Sequence, residues 1–435
     1  MDAKLRTTCH IAAFIALVIA VPGSVRAEPG DGLRSGNLQL SPGVMLGTGF
    51  DTNLFYGSGS EEIRQAPMGI LEPRLKIATI EPTNFDLAFN GAVGWTQYFS
   101  LQEDAVTRQS GLSSALSGSG TLNPRGNLSL RLSNHFLRTN ETPSSSSDDS
   151  VNRIWNRSGV VLGFHPGGRV LESHLSYNYT VYRHNLYTNL DRGSHGLGWR
   201  SSWKFLPKTA LVADATYSIV GYRGAQADDA ERIVKVNSTP LRLLGGVNGL
   251  LTNRLGAKLM AGYAWGFYDA GDSFQGVVGL AEGYYGFGSH GMNNRLRIGY
   301  EYNFRDSPIS NYYTFHRVFG GYEQGLMNNR LRLGLETETQ IRDYRYAGGG
   351  VRLPTANGGE VETPNSVNDL SVGVRASAGY QLSAWWNAEL SYRFGTNFTD
   401  DQIRVFEQSG DIEPSQIILR EFVRHHIMFQ TTFTY

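Results

Sequence analysis

The dominant pattern in this chain is an alternation of apolar and polar residues with a period of two. It is clear in residues 85–99, 127–136, 255–268, 295–304 and 330–341. A period of two places successive side chains on opposite faces of a β-strand. Apolar residues with the 3.6-residue spacing of helices are almost absent. The pattern therefore predicts an all-β protein whose strands have one apolar and one polar face.

The connections between these segments alternate in length. Short connections, such as residues 123–126 and 166–169, carry Pro, Gly or Asn, as tight turns require. Long connections include residues 139–152, 223–239 and 344–366. Eight short turns and nine longer loops alternate along the chain, which makes about 18 strands. This arrangement is typical of a transmembrane antiparallel β-barrel with short periplasmic turns and long extracellular loops.

A soluble β-sandwich or propeller is the structural alternative. Such folds bury their apolar faces against a second sheet, and their turns are not sorted by length. Here aromatic residues cluster near strand ends on the apolar face, as at Trp95 and Phe99 or at Trp199 and Trp203. That placing is expected of the aromatic girdles at a membrane interface. The barrel is therefore the favoured architecture, and it is predicted to cover residues 37–435.

The N-terminus has the features of a secretory signal peptide. Lys4 and Arg6 precede an apolar run at residues 11–21, and Ala27 closes a plausible cleavage site. The run is shorter than the about 20 residues that a membrane-spanning helix needs. We predict a signal peptide at residues 1–27, a flexible periplasmic segment at residues 28–36 and a location in the bacterial outer membrane. Cys9, the single cysteine, falls within the signal peptide.

The C-terminal segment alternates up to the last residue. Phe429, Phe433 and Tyr435 share the apolar face, together with Ile427 and Thr431. A terminal aromatic residue preceded by alternating apolar residues resembles the signal read by the outer-membrane barrel assembly machinery, which would then be a partner. The alternative is that these residues are simply part of a lipid-facing strand that ends the chain.

The charges are balanced, with 39 basic and 39 acidic residues, and nothing in their distribution indicates a nucleic-acid partner. Charges on the lipid face of a barrel cost about 2–4 kcal/mol at the bilayer midplane, so the charged strand residues are assigned to the lumen. The basic lumen candidates are Arg295, Arg297, Arg330, Arg332, Lys258 and Arg375. The acidic lumen candidates are Glu301, Glu336, Glu338 and Glu389. Such a lumen is either a water-filled channel or a plug of mutually paired charges.

The charges are also sorted along the barrel axis. Basic residues such as Arg125, Arg169 and Arg330 lie beside the short turns, whereas the longer loops are acidic. A basic periplasmic mouth would attract anions by focusing the electric field. The acidic loops would equally suit divalent cations that bridge them to lipopolysaccharide. We therefore expect outer-membrane lipid and lipopolysaccharide as partners, and both interpretations of the charge remain open.

No enzymatic motif stands out. The chain has Ser, His and Asp residues, but no nucleophile and base with a recognisable spacing. His425 and His426 point to opposite faces of one strand and cannot form a metal pair. We expect no catalytic activity, no cofactor and no metal. An outer-membrane hydrolase is the least favoured alternative.

Residues 40–57 contain a strand followed by the step Asp51-Thr52-Asn53-Leu54-Phe55. This step resembles the opening of the beta-barrel porin 2 family, and residues 71–77 and 92–99 are similar to the next two strands of that family. The resemblance implies an outer-membrane channel, either porin-like or a conduit for exopolysaccharide export, since some members are linked to export. An export role would need a periplasmic polysaccharide-export protein as a partner. The other hypothesis is a non-conducting structural or adhesion barrel with acidic surface loops.

Overall fold

The computed structural model describes residues 30–57, 63–100, 104–139, 153–184, 191–223, 236–288, 294–307, 310–345, 352–354, 360–362, 366–399, 403–405, 416–419 and 421–435. The predicted signal peptide lies outside the described residues. The predicted domain boundaries stay a prediction, although Leu33–Ser35 already forms a short strand that folds back on Leu38–Leu40.

Eighteen antiparallel strands form one closed barrel, as the alternation predicts. The strands are β1 (Leu38–Asp51), β2 (Ala66–Thr79), β3 (Phe85–Tyr98), β4 (Gly111–Leu122), β5 (Leu128–Thr139), β6 (Arg153–Phe164), β7 (Leu171–His184), β8 (Arg192–Leu206), β9 (Thr209–Tyr222), β10 (Ser238–Leu250), β11 (Leu255–Tyr268), β12 (Phe274–Gly286), β13 (Arg295–Asp306), β14 (Tyr312–Leu326), β15 (Leu331–Arg345), β16 (Ser366–Gln381), β17 (Trp386–Thr399) and β18 (Phe422–Thr434).

The ring closes between its first and last strands. β1 pairs with β18 from Gly43 opposite Thr434 to Asp51 opposite His426. The amide of Tyr435 donates to the carbonyl of Pro42 at 2.8 Å, so the last residue of the chain is held by the first strand. A closed barrel leaves no unpaired sheet edge, which is the condition for placing strands in hydrocarbon.

The two rims of the barrel differ. The turn rim carries the start of β1, the end of β18 and short connections such as residues 80–84 and 327–330. The loop rim carries the other nine connections, in which residues 352–354 pair with 360–362 and residues 403–405 pair with 416–419. Two connections of the loop rim, residues 269–273 and 307–311, are as short as the turns.

Two short helices lie in the connections that the structure describes. The helix α1 (Asp104–Arg108) lies in the β3–β4 loop, and α2 (Pro166–Arg169) forms the β6–β7 turn. Gly167 and Gly168 have φ angles of 63° and 66°, a left-handed conformation that favours glycine in this turn. Within the described part of the chain, no helix is long and apolar enough to cross a bilayer.

The outer face of the wall is apolar. Leu335 and Ile341 of β15 are 42% and 53% exposed, and Leu390 and Phe398 of β17 are similarly exposed. The residues of the other parity, such as Glu336, Glu338 and Gln340 of β15, point into the barrel. An apolar exterior around a closed ring of strands is the form in which β-structure crosses a membrane.

Candidate functional site: the lumen

The inner face of β13–β18 surrounds a cavity of about 1110 Å³. Its wall is dominated by arginines. The nine arginines of the lining are Arg153, Arg295, Arg297, Arg305, Arg317, Arg342, Arg375, Arg393 and Arg424. The four glutamates of the lining are Glu323, Glu336, Glu338 and Glu389. A second cavity of about 690 Å³ lies nearer the turn rim and is lined by Arg330 and Arg332.

Part of this charge is neutralised across strands. Arg297 Nε lies 2.8 Å from Glu282 Oε1, and Arg295 Nη2 lies 3.3 Å from Glu323 Oε1. Arg317 contacts Glu301 and Glu338, each at 3.0 Å. These pairs agree with the alternative of a lumen in which facing charges satisfy one another.

In another part of the wall the positive charge is compensated only in part. Arg375 of β16 is directly opposite Arg393 of β17, and Arg393 is directly opposite His426 of β18. Glu336 of β15 is directly opposite Arg375 on its other side, but among the described residues neither guanidinium forms a salt bridge. Like charges directly opposite each other on neighbouring strands are destabilising unless counter-charge lies between them. The row holds two arginines against one glutamate, and this excess of positive charge would attract an anion.

The structure divides the predicted basic residues among three places. Arg295, Arg297 and Arg375 line the larger cavity, and Arg330 and Arg332 line the smaller one. Lys258 lies on β11, in register with Glu282. The acidic candidates Glu336, Glu338 and Glu389 line the larger cavity, and Glu301 lies on β13 in register with Arg317. Their role in permeation stays a prediction.

The sequence pattern missed Arg317, the centre of the ion-pair network. β14 lacks a clean alternation because Phe315 and Phe319 lie on the same side of the strand as Arg317. The guanidinium of Arg317 packs over the ring of Phe319, 4.6 Å from its centroid, and Arg297 lies 4.8 Å from the same centroid. The sequence Phe-x-Arg-x-Phe places an arginine between two aromatic residues on one face of a strand. This spacing could have indicated a cation–π contact that holds the guanidinium against the barrel wall.

The Asp51-Thr52-Asn53 step forms a buried polar cluster where the ring closes. Asp51 is 0% exposed and accepts hydrogen bonds from Arg424 of β18, including one of 2.9 Å from Nε to Oδ2. Asn53 Nδ2 donates to the carbonyl of Val423 at 3.0 Å, and Thr52 Oγ1 accepts from the amide of His425 at 2.8 Å. The motif that carried the family resemblance thus joins β1 to β18 at the loop rim.

The chain beyond this motif turns into the barrel. Leu54 packs in a buried cluster with Ala66, Met68, Tyr98 and Val106, the last from α1. Tyr56 lies beneath the guanidinium of Arg424, 4.5 Å from it, and lines the larger cavity. One side of the lumen is therefore narrowed at the loop rim by residues 52–57 and α1.

The opposite side is narrowed by the end of the β13–β14 hairpin, which is named here the tip (residues 303–307 and 310–315). β12 and β13 are paired only from Gly286 opposite Arg295 to Gly279 opposite Tyr302. Beyond that row the tip leaves β12, although β13 and β14 stay paired up to Asp306 opposite Tyr312. Phe304, with 0% exposure, stacks on Phe274 with ring centroids 4.3 Å apart.

The predicted assembly signal has a clear place in the barrel. Phe429 is exposed on the outer face, and Tyr435 is also exposed. Phe433 stacks on Trp385 and Trp386, with centroids 6.0 and 5.7 Å away. These contacts give the last strand an aromatic cluster at the turn rim, and recognition by an assembly machine stays a prediction.

Comparisons with known proteins show similarity only at the level of solved structures. No family model matches the chain, and no curated protein matches it. OccAB4 of Acinetobacter baumannii is 11% identical, with a TM-score of 0.44 over 94% of this chain and 100% of that one. OpdQ of Pseudomonas aeruginosa is 11% identical, with a TM-score of 0.46 over 91% and 99%. The FrpB iron transporter of Neisseria meningitidis is 8% identical, with a TM-score of 0.46 over 91% and 81%.

Proposed function

We propose that this protein is an outer-membrane channel that favours anionic hydrophilic solutes. The observation that carries the proposal is the row of Arg375 and Arg393, which face each other on the lumen side without a salt-bridge partner among the described residues. In a lumen with low-dielectric walls, fixed charge of one sign raises the local concentration of the opposite ion. Charged rings are also a common basis of selectivity in wide pores.

The orientation follows from the rims. In outer-membrane barrels the short turns face the periplasm, so the turn rim of this protein would be the periplasmic mouth. Arg330 and Arg332 line the cavity nearer that rim. Together with Arg295 and Arg297 they would form a positive entrance for anions that arrive from the periplasm. Passage of a solute through this entrance requires no catalytic group and no cofactor.

A second candidate function is export of an acidic polysaccharide, and the aromatic lining of the cavity favours it. Tyr56, Tyr98, Tyr313 and Phe319 line the larger cavity beside the arginines. Sugar rings pack on aromatic faces, and uronate carboxylates pair with guanidinium groups in charge-assisted hydrogen bonds. An export role would also need a periplasmic partner that delivers the polymer to the turn rim.

The proposal is tested by transport into liposomes that contain the purified protein. Swelling rates are compared for glucuronate and glucose, which are matched in size and differ in charge. We expect glucuronate to enter faster than glucose. If field focusing is responsible, R375Q/R393Q should lower the ratio of the two entry rates, on the order of tenfold at low salt. The advantage should also shrink as salt rises, because screening shortens to about 8 Å at physiological ionic strength.

The matched control is R131Q/R200Q. Arg131 and Arg200 lie on the lumen face of β5 and β8, where they contact Ser119 and Asp214, and neither lines the larger cavity. This control removes the same charge from the opposite wall. It should leave the ratio of glucuronate to glucose entry rates close to that of the wild type. Equal effects of both double variants would mean that net charge, not the opposed pair, determines selectivity. No swelling with either sugar would favour the non-conducting barrel with acidic loops.

A further inference from the structure

We propose that the tip of the β13–β14 hairpin is a gate that closes part of the lumen by folding inward and opens it by pairing with β12. The inference concerns regulation of the lumen and rests on the proposed channel function. Leu296, Ile298 and Tyr300 of β13 are exposed on the outer face of the barrel. Phe304 and Asp306 continue the same parity and should also face outward.

The tip breaks that expectation, because its outer face packs against the inner face of β10–β12. Phe304 contacts Phe274 and lies over Gly266, where an added Cβ would come within 2.6 Å of the ring. Ala264, Val278 and Tyr312 complete the buried cluster between the two layers. Phe267 and Val277, on the opposite face of β11 and β12, are exposed outward. The tip therefore lies inside the barrel wall, as a second layer.

Polar contacts fix the tip in this position. Asp306 accepts hydrogen bonds from Ser238 Oγ of β10 and Tyr268 Oη of β11, both at 2.8 Å. Arg242 of β10 donates to the carbonyl of Phe304 at 2.7 Å, and its guanidinium lies 4.4 Å from the centre of the Phe304 ring. Asn311 donates to the carbonyl of Ala270 in the adjacent loop at 2.8 Å. These contacts join the tip to β10 and β11, strands with which it has no backbone pairing, and they would break if the tip moved outward.

The register between β12 and β13 defines an alternative position for the tip, in which the tip pairs with β12. Continuing the ladder beyond Gly279 and Tyr302 would pair Val277 with Phe304 and Gly276 with Arg305. Val277 and Phe304 would then form an apolar pair on the membrane face, and Gly276 would leave room for Arg305 on the lumen face. The movement exchanges the buried cluster for ladder hydrogen bonds, and Phe304 stays in an apolar environment. The outward arrangement separates Asp306 from Ser238 and Tyr268, and Asp306 would then lie at the loop rim, where water replaces these hydrogen bonds. The two arrangements therefore exchange one set of interactions for another, as a two-state element requires.

The position of the tip matters for passage because Arg305 and Tyr313, on its other face, line the larger cavity. In the inward position the tip separates this cavity from the inner wall of β10–β12. In the outward position the cavity would extend to that wall, and the pore would widen.

Two pairs of engineered cysteines distinguish the positions, and the only native cysteine is Cys9. S238C/D306C joins groups that are in contact in the inward position and should lock the gate closed. V277C/F304C joins residues that lie on opposite sides of the wall in the inward position and should form a disulfide only when the tip pairs with β12, because cross-linking requires Cα atoms within about 7 Å. The control G283C/I298C joins a pair that is in register in the bonded part of the same seam.

Disulfide formation is measured in native membranes by mass spectrometry, and conductance is measured in planar bilayers before and after reduction. We expect all three pairs to cross-link. Oxidation should raise the conductance of V277C/F304C, lower that of S238C/D306C and leave the control unchanged, and reduction should reverse both changes. A V277C/F304C protein that keeps free thiols while S238C/D306C cross-links would overturn the gate. Cross-links that form without any change in conductance would also overturn it.

The cross-linking result is independent of the channel proposal. If the wild type and every variant fail to conduct, the proposed function fails. Formation of the V277C/F304C disulfide would still show that the tip moves, whereas its absence would reject the movement as well.

Discussion

At the scale of single residues, the informative position is Asp51. The sequence singled it out as part of a short motif, but gave no reason for an acid there. In the structure it is fully buried at the junction of β1 and β18 and is held by Arg424. A buried carboxylate of this kind is stable only with its partner in place, so the pair specifies where the ring closes.

We predict that D51A destabilises the barrel by about 3 kcal/mol, because removing one member of a buried ion pair leaves the other charge uncompensated. The measurement is the free energy of unfolding in urea, in lipid or detergent. The control is E323A, which removes the partner of Arg295 in an exposed pair and should cost at most about 1 kcal/mol. Equal losses in the two variants would show that the Asp51 site does not determine closure.

At the scale of strands, alternation identified the two faces wherever one of them was uniformly apolar. β15 is such a strand, with Leu335 exposed outward and Glu336 lining the cavity. β14 was not identified in this way, because aromatic residues occupy both of its faces. The tip could not have been predicted, because the parity rule assumes that one face of a strand points outward along its whole length. Its reversal depends on tertiary contacts with Ser238, Arg242 and Tyr268.

The face assignment of β15 gives a direct prediction. L335R should lower the stability of the folded barrel by about 2–4 kcal/mol, since it places a cation on the lipid face. E336R changes the adjacent residue to the same side chain on the lumen face. It adds a third arginine to the row of Arg375 and Arg393 and should cost at most about 1 kcal/mol, less than L335R. Heat-modifiable gel mobility and urea midpoints in lipid report the difference. A larger loss for E336R would mean that the strand faces are assigned the wrong way round.

At the scale of the whole molecule, the strand number, closure and two unequal rims could be predicted from the alternating segments together with the lengths of the connections between them. The shape of the lumen could not, because two inward features control it. One is the segment of residues 52–57 with α1, and the other is the tip. Between them lies the arginine wall, whose opposed pair Arg375 and Arg393 arises from the register of β16 and β17. Register depends on pairing across the whole sheet, which single-strand patterns do not contain.

The proposed function requires that the lumen conducts ions and prefers anions. The most direct test is the reversal potential of single wild-type channels in a planar bilayer with a potassium chloride gradient. We expect discrete conductance steps and a reversal potential with the sign of chloride selectivity, which declines as the salt on both sides is raised. A reversal potential with the sign of potassium selectivity, or a bilayer that contains folded protein and never conducts, would contradict it.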